Sequence, residues 1–169
     1  MRVVVDSHAV VWYVKGSSQL SPAARDVLTD AEVDAGIVVS IATLIDLWYV
    51  TQTTRALGTA ELGRLRDRLL RSPAVDLHPV DVHVADAYFR IDRGLLRDPW
   101  DRLIVATAMA LALPLVTRDS AIKGANLVET LWRSRCSGSN ASSVSQSLFN
   151  ETECPRLRWC YGQAGADYG

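Results

Sequence analysis

Short apolar runs alternate with amphipathic stretches along the first 133 residues. Four runs rich in β-branched residues have the character of buried strands; they are residues 2–5, 37–39, 75–80 and 114–117. The stretches between them place apolar side chains at helical spacing, as Leu44 and Leu47 do. This alternation predicts an α/β fold, a three-layer α/β/α sandwich around a central parallel sheet of four or five strands with right-handed crossovers.

Two helix starts are marked by a capping residue followed by proline. Ser21 precedes Pro22, and Asp98 precedes Pro99. The side-chain oxygen of the first residue accepts a backbone hydrogen bond, and proline suits the first helical position because the N–H there has no helical partner. We therefore expect helices to begin at both positions.

Composition changes sharply after residue 133. Residues 1–133 form one candidate domain, since single domains usually span about 100 to 200 residues. Residues 134–169 are rich in Ser, Gly and Asn and show no periodicity, so we expect a tail that is disordered or non-native. All three cysteines fall within that tail, so the main domain is expected to use no disulfide or thiol chemistry.

The overall charge excludes a general attraction to nucleic acid or membrane. Eighteen basic and 19 acidic residues give a net charge of −1, so phosphate binding requires a local patch or a metal. The longest apolar stretch, residues 103–116, contains Pro114 and is shorter than the roughly 20 residues that span a bilayer. Asp6 interrupts the first apolar run, which argues against a signal peptide. We expect a cytoplasmic protein with no membrane span.

Five aspartates follow strands or lie near helix starts, where a parallel sheet gathers its functional groups. They are Asp6, Asp46, Asp98, Asp101 and Asp119. Clustered carboxylates repel one another and raise each other's pKa unless a cation neutralises them. All-oxygen ligands suit Mg²⁺ or Mn²⁺, and a site of this kind activates water for attack on a phosphodiester. The pattern therefore indicates a nuclease.

Each acid also has a structural interpretation. Helix capping alone accounts for Asp98, and Asp119 is consistent with a turn. Asp46 lies in an apolar run and leaves both interpretations open. For Asp6 the functional interpretation is favoured, because an ionised group after three valines is costly unless it is paired or metal-bound.

Two groups of arginines accompany the acids. Arg97, Arg102 and Arg118 flank the aspartates, and we expect them to hold the phosphate backbone of a substrate. The second group is crowded on one helix and is more typical of a solvated face; its members are Arg64, Arg66, Arg68 and Arg71.

Competing sites fail on spacing or composition. Residues 6–8, Asp-Ser-His, are consecutive and cannot converge as a hydrolytic triad. Residues 58–63 have the glycine spacing of a phosphate loop without its lysine, and His78 and His83 lack zinc-ligand spacing. A haloacid-dehalogenase-like phosphatase requires an acid where His8 stands, and a receiver domain requires a lysine after a late strand, which is also missing.

Four segments carry a family resemblance; they are Val3-Val-Val-Asp-Ser-His-Ala-Val-Val-Trp12, Ser40-Ile-Ala-Thr-Leu-Ile-Asp-Leu47, Arg97-Asp-Pro-Trp-Asp-Arg-Leu-Ile-Val-Ala-Thr-Ala108 and Pro114-Leu-Val-Thr-Arg-Asp119. Together, and in this order, they resemble PIN-domain toxins of the VapC type. The resemblance implies a Mg²⁺-dependent endoribonuclease that cleaves tRNA, rRNA or mRNA as the toxin of a type II toxin–antitoxin system. It also implies a homodimer that is inhibited by a cognate VapB antitoxin.

The resemblance assigns roles by position. It implies that Asp6 is the first metal-binding acid, Asp101 the third, and Asp119 a fourth that helps to hold metal or water. Asp98 belongs to the Asp-Pro-aromatic-Asp-Arg variant of the motif and shares or supports the role of Asp101. Ser7 resembles a hydroxyl that supports the acids, as does Thr117.

The second acidic position departs from the family pattern. Asp46 stands where the family usually has glutamate and is one methylene shorter. This departure leaves a second interpretation open, in which the domain is a weak nuclease that acts mainly as an antitoxin- or RNA-binding module.

Overall fold

The computed structural model of the chain describes residues 1–53 and 57–132. Their sheet consists of the strands β1 (Val3–Val5), β2 (Ile37–Ser40), β3 (Val75–His78), β4 (Leu115–Val116) and β5 (Thr130–Leu131). The spatial order is β3-β2-β1-β4-β5, and every pairing is parallel. β1 is the central strand, with Val4 opposite Val38 on one side and Leu115 on the other. The predicted parallel sheet is confirmed, with five strands.

The helices in this part of the chain are α1 (Ser7–Val14), α2 (Pro22–Val33), α3 (Ile41–Thr53), α4 (Thr59–Arg71), α5 (Val82–Phe89), α6 (Pro99–Leu111) and α7 (Ser120–Ala125). The chain steps from β1 to β3 in one direction and from β3 to β5 in the other. Because parallel crossovers are right-handed, α1, α2 and α4 lie on one face of the sheet, and α5, α6 and α7 lie on the other. The predicted three-layer sandwich is confirmed.

The central strands are buried on both faces. Val4, Val38 and Leu115 are fully buried and belong to one cluster with Val84 of α5 and Ile104 of α6. Burial of each such side chain stabilises the fold by roughly 1.5–3 kcal/mol. The packed sheet gives a rigid edge from which the following helices start.

The two helix starts predicted from capping residues are confirmed. Ser21 Oγ accepts a hydrogen bond from the backbone N–H of Ala24, and Asp98 caps α6. The structure adds β5 and α7, whose lengths of 2 and 6 residues carry no periodic signal. The predicted tail, residues 134–169, lies outside the described residues.

None of the helices described here has the length and hydrophobicity that a bilayer span requires.

Candidate active site

The structure brings the five predicted aspartates together at the carboxyl edge of the sheet. Asp6 follows β1 directly, and Asp119 lies just beyond β4. Asp46 is on α3, which packs against α6, where Asp98 and Asp101 occupy the first turn. Each of the other four aspartates acts electrostatically on Asp101 and raises the pKa of its carboxyl. Acids from four distant parts of the chain therefore share one environment.

Asp6 is held in place by two hydrogen bonds. Its side chain is 4% exposed, and its Oδ1 accepts from the backbone N–H of Ala9 at 2.7 Å, which caps α1. Its Oδ2 accepts from the hydroxyl of Thr117. Burial raises the pKa of Asp6, while these two bonds oppose the rise. The carboxylate is therefore oriented although the anion is poorly solvated.

Asp98 and Asp119 also cap helices. Asp119 Oδ1 accepts from the backbone N–H groups of Ala121 and Ile122 at 2.7 and 2.9 Å. Asp98 Oδ1 accepts from the backbone N–H of Trp100 at 2.8 Å. Replacing such a cap by alanine typically costs about 1 kcal/mol. In both residues the cap uses Oδ1, and Oδ2 accepts no hydrogen bond from the residues that the structure describes.

Asp46 is buried and Asp101 is half-buried, and neither side chain caps a helix. Asp46 is 8% exposed, and burial raises the pKa of its carboxyl, with further repulsion from Asp98 and Asp6. Burial and the four neighbouring acids raise the pKa of Asp101 to about 8. Neither side chain forms an ion pair with any residue that the structure describes. These two acids therefore lack a structural explanation.

Ser7 adds a buried hydroxyl to the same edge. It is 3% exposed and lies close enough to Asp46 to lower the pKa of that carboxyl. The contact falls short of hydrogen-bond geometry, so Ser7 Oγ has no hydrogen-bond partner among residues 1–53 and 57–132. Leaving a buried polar group unpaired costs about 1–3 kcal/mol, which favours a ligand or water at this position.

α3 turns its acid inward and its aromatic side chains outward. Asp46 and Leu47 are buried, whereas Trp48 and Tyr49 are 46% and 37% exposed. Trp48 is thus exposed although it shares the helical spacing of the apolar residues Leu44 and Leu47. Apolar residues surround Asp46 on all sides of the helix, so the pattern does not specify which face packs inward. The Tyr49 ring lies 5.5 Å from that of Trp100, beside the acids of α6.

Two of the three flanking arginines lie over aromatic rings. The guanidinium carbon of Arg102 lies 4.5 Å from the ring centre of Tyr88, and that of Arg118 lies 5.9 Å from Trp12. Arg97 is exposed. Within the part of the chain that the structure describes, none of the three forms an ion pair with an acid.

His8 is a neighbour of the acids to which the sequence analysis assigns no role at this site. It is exposed, and its charge lowers the pKa of both Asp6 and Asp46. Its ring lies 5.6 Å from that of Trp12, one turn later on α1. Its position two residues after Asp6, in the first turn of a helix capped by that acid, is the signal that locates it.

The donor set fits a hard divalent cation in chemistry and charge. Its members are carboxylate oxygens with one unpaired hydroxyl, and the repulsion at Asp101 is the kind that a cation relieves. In the described ranges, no three His, Cys, Asp or Glu side chains already surround one ion position. The acids thus converge, but they do not form a closed cage. Mg²⁺ commonly uses one or two carboxylates and retains waters, which this arrangement can supply.

Solved structures share this fold at low sequence identity. VapBC2 from Rickettsia felis bound to a promoter DNA fragment aligns with a TM-score of 0.58 and 16% identity, covering 77% of this chain and 97% of that one. DNA-bound VapBC from Salmonella typhimurium gives 0.55 and 15%, covering 77% and 96%. VapBC-5 from Mycobacterium tuberculosis gives 0.52 and 18%, covering 78% and 98%.

No curated protein matches the sequence. The family model for the PIN domain matches residues 3–126, a span that contains all five aspartates and the strands β1 to β4. The chain belongs to the PIN domain family.

Proposed function

We propose that this PIN domain is a VapC-type toxin of a type II toxin–antitoxin system and that it cleaves RNA with a bound Mg²⁺ or Mn²⁺. The observation that carries the proposal is the convergence of five carboxylates, which raises the pKa of Asp101 to about 8. Repulsion between these carboxylates destabilises the fold unless a cation neutralises it, so the cluster supports a cation site at this edge of the sheet. PIN domains are generally nucleases, which supports the same assignment.

The acids have different roles in the proposed cation site. Asp6, Asp101 and Asp119 would hold the cation, with Asp98 Oδ2 as an alternative ligand to Asp101 and with Asp46 in reach through water. Held by these acids, a divalent ion would lower the pKa of a bound water and would offset the charge that develops on the phosphodiester. The Thr117 hydroxyl keeps Asp6 Oδ2 in a fixed direction.

Substrate contacts are proposed for the polar groups around the acids. Ser7 Oγ, which has no partner among the described residues, can donate to a phosphate oxygen. Arg97 is exposed and can hold the RNA backbone, whereas Arg118 and Arg102 reach it by leaving Trp12 and Tyr88. Backbone contacts of this kind position an RNA strand without reading its sequence.

The proposed partner is a VapB-type antitoxin. The solved neighbours from Rickettsia, Salmonella and Mycobacterium are VapBC assemblies, which supports this class of partner. We propose that the toxin forms a homodimer and acts in the cytoplasm, where its RNA substrates lie.

RNA cleavage by the purified protein tests the proposal. Structured RNA is incubated with the parent protein in Mg²⁺ or Mn²⁺, and the ends of the products are sequenced. Asp6→Asn and Asp101→Asn should each lower cleavage by at least about 100-fold, since each alters the charge that holds the ion. Asp30→Asn, an exposed change on α2, is the matched control and should cleave like the parent. Equal cleavage by Asp6→Asn would overturn the assignment.

Asp46 supports a second candidate function. It is buried, and its carboxylate is one methylene shorter than the usual glutamate, so it reaches less far toward the shared ion. In this alternative the domain cleaves weakly and acts mainly by binding antitoxin or RNA. The rate of RNA cleavage by Asp46→Glu separates the two candidates.

A further inference from the structure

A pair of hydroxyl groups lies buried between β2 and α6. Thr107 Oγ1 is 3.0 Å from Ser40 Oγ, although the residues are 67 positions apart in the chain. Both are fully buried. Thr107 Oγ1 is also 2.8 Å from the carbonyl oxygen of Leu103, and Ser40 Oγ accepts from the backbone N–H of Ala42 at 3.3 Å.

The proton count fixes the direction of these bonds. Each hydroxyl has one proton to donate. Full satisfaction follows when Thr107 donates to Leu103 O and accepts from Ser40, while Ser40 accepts from Ala42 N–H. The four groups then form one continuous chain in which neighbouring bonds polarise and strengthen each other.

This chain joins the two helices that carry the unexplained acids. Ala42 lies in the first turn of α3, which bears Asp46, and Leu103 lies on α6, which bears Asp101. Ser40 and Thr107 do not contact either acid by hydrogen bond in the described structure. These hydrogen bonds therefore connect the backbone at the start of α3 to the backbone of α6, and they constrain the position of α3 along α6.

Packing alone does not call for hydroxyl groups here. Alanine and valine would fill similar volumes without the desolvation penalty of two buried polar groups. Side chains one turn away, such as Ile104, are apolar and fully buried. The hydroxyl pair thus makes the contact with α6 directional, whereas apolar side chains would not fix its register.

We propose that Ser40 and Thr107 are positioning residues that set the separation between the Asp46 and Asp101 carboxylates for a shared divalent ion. The inference rests on the proposed function. Breaking this chain of hydrogen bonds should leave a folded protein whose acids bind the ion more weakly. No group that touches the ion or RNA is removed.

Thr107→Val tests this inference, because valine keeps the shape and removes both hydrogen bonds. Two quantities are measured: the rise in melting temperature with added Mn²⁺ in the absence of RNA, and the Mn²⁺ concentration that half-saturates cleavage. In Thr107→Val the half-saturating concentration should rise at least about threefold, short of the roughly 10- to 100-fold effect of residues that bond a metal ligand directly. Thr107→Ser retains the hydroxyl and should respond to Mn²⁺ like the parent.

Val105→Ala is the matched control on the same helix. It removes buried apolar volume and should lower the melting temperature without changing either response to Mn²⁺. If Thr107→Val behaves like Val105→Ala, the hydroxyl pair is only structural and the inference is overturned.

A second variant covers the case in which Thr107→Val does not fold. Ser40→Ala breaks the same chain from the other end and should raise the half-saturating Mn²⁺ concentration similarly. In the double variant the half-saturating Mn²⁺ concentration should rise no more than in either single variant, because both substitutions break the same chain of hydrogen bonds. Additive effects would contradict the inference. A parent protein that neither cleaves RNA nor responds to Mn²⁺ would instead overturn the proposed function, and this inference with it.

Discussion

Thr117 donates its hydroxyl proton to Asp6 across the junction of β4 and β1, between residues 111 positions apart. The same Thr117 Oγ1 accepts a hydrogen bond from the backbone N–H of Asp119 at 3.0 Å. One fully buried side chain therefore links the acid after the first strand with the acid after the fourth. This hydroxyl therefore holds the Asp6 carboxylate in place relative to the backbone of Asp119.

Thr117→Val should destabilise the protein at neutral pH. The change leaves Asp6 Oδ2 buried without a donor and removes the bond that lowers the pKa of this carboxyl. We expect a loss of about 1–3 kcal/mol in the free energy of unfolding, measured by urea denaturation. Thr117→Ser keeps the hydroxyl and should lose less. Equal losses would show that the methyl group, and not the bond, is what matters.

Without metal, the protein should become less stable as pH rises from about 4 to about 8. The pKa of Asp101 is raised from 3.8 to about 8 in the folded chain, so the native state binds more protons than the unfolded state across this window. Ionising Asp101 at higher pH therefore favours unfolding, and the raised pKa values of Asp6 and Asp46 act in the same direction.

Melting temperatures in a chelating buffer measure this dependence. Asp101→Asn should be more stable than the parent at high pH and should show a flatter profile. A parent whose melting temperature rises steadily over the window would contradict the prediction.

Added Mg²⁺ or Mn²⁺ should raise the melting temperature, and more so at pH 8 than at pH 6. Binding at the acids requires Asp101 to lose its proton, so the apparent affinity increases as pH approaches its pKa of about 8. At a concentration 100 times the dissociation constant the gain is about 2.7 kcal/mol. Asp30→Asn should show the full shift, and Asp101→Asn should show little. A shift of equal size in both variants would place the ion elsewhere.

Asp46→Glu should change cleavage by less than about tenfold, or about 1.4 kcal/mol in the barrier, if the parent is already an efficient nuclease. The longer side chain must fit a buried position, and overpacking there costs about 1–3 kcal/mol of stability. Cleavage rates at matched metal concentration measure the effect, with exposed Asp26→Glu as control. A gain well above tenfold would favour the alternative of a weak nuclease that mainly binds.

Sequence reasoning predicts the central strands and two helix starts for physical reasons. The three valines before Asp6 form a continuous apolar run because β1 is buried on both faces. The Ser21-Pro22 and Asp98-Pro99 pairs mark helix starts because capping is a local interaction. The convergence of the acids follows from topology, since the carboxyl ends of parallel strands share one edge.

Other features depend on tertiary contacts and leave no local signal. The inward face of α3 is decided by packing against α1, α4 and α6, not by its own uniformly apolar sequence. Arg102 and Arg118 stack on Tyr88 and Trp12, which lie far from them in the chain. The hydroxyl pair of Ser40 and Thr107 joins two segments whose contact no periodicity indicates.

The capping role of Asp6, Asp98 and Asp119 means that the same side chains serve the proposed chemistry and hold the scaffold. An alanine scan along this edge would remove the caps of α1, α6 and α7, at about 1 kcal/mol each, together with the negative charges, and the two effects could not be separated. Asparagine retains a capping oxygen and removes the negative charge, although at Asp6 its amide nitrogen replaces the oxygen that accepts from Thr117. Amide replacements are therefore the ones that report on reactivity at this edge.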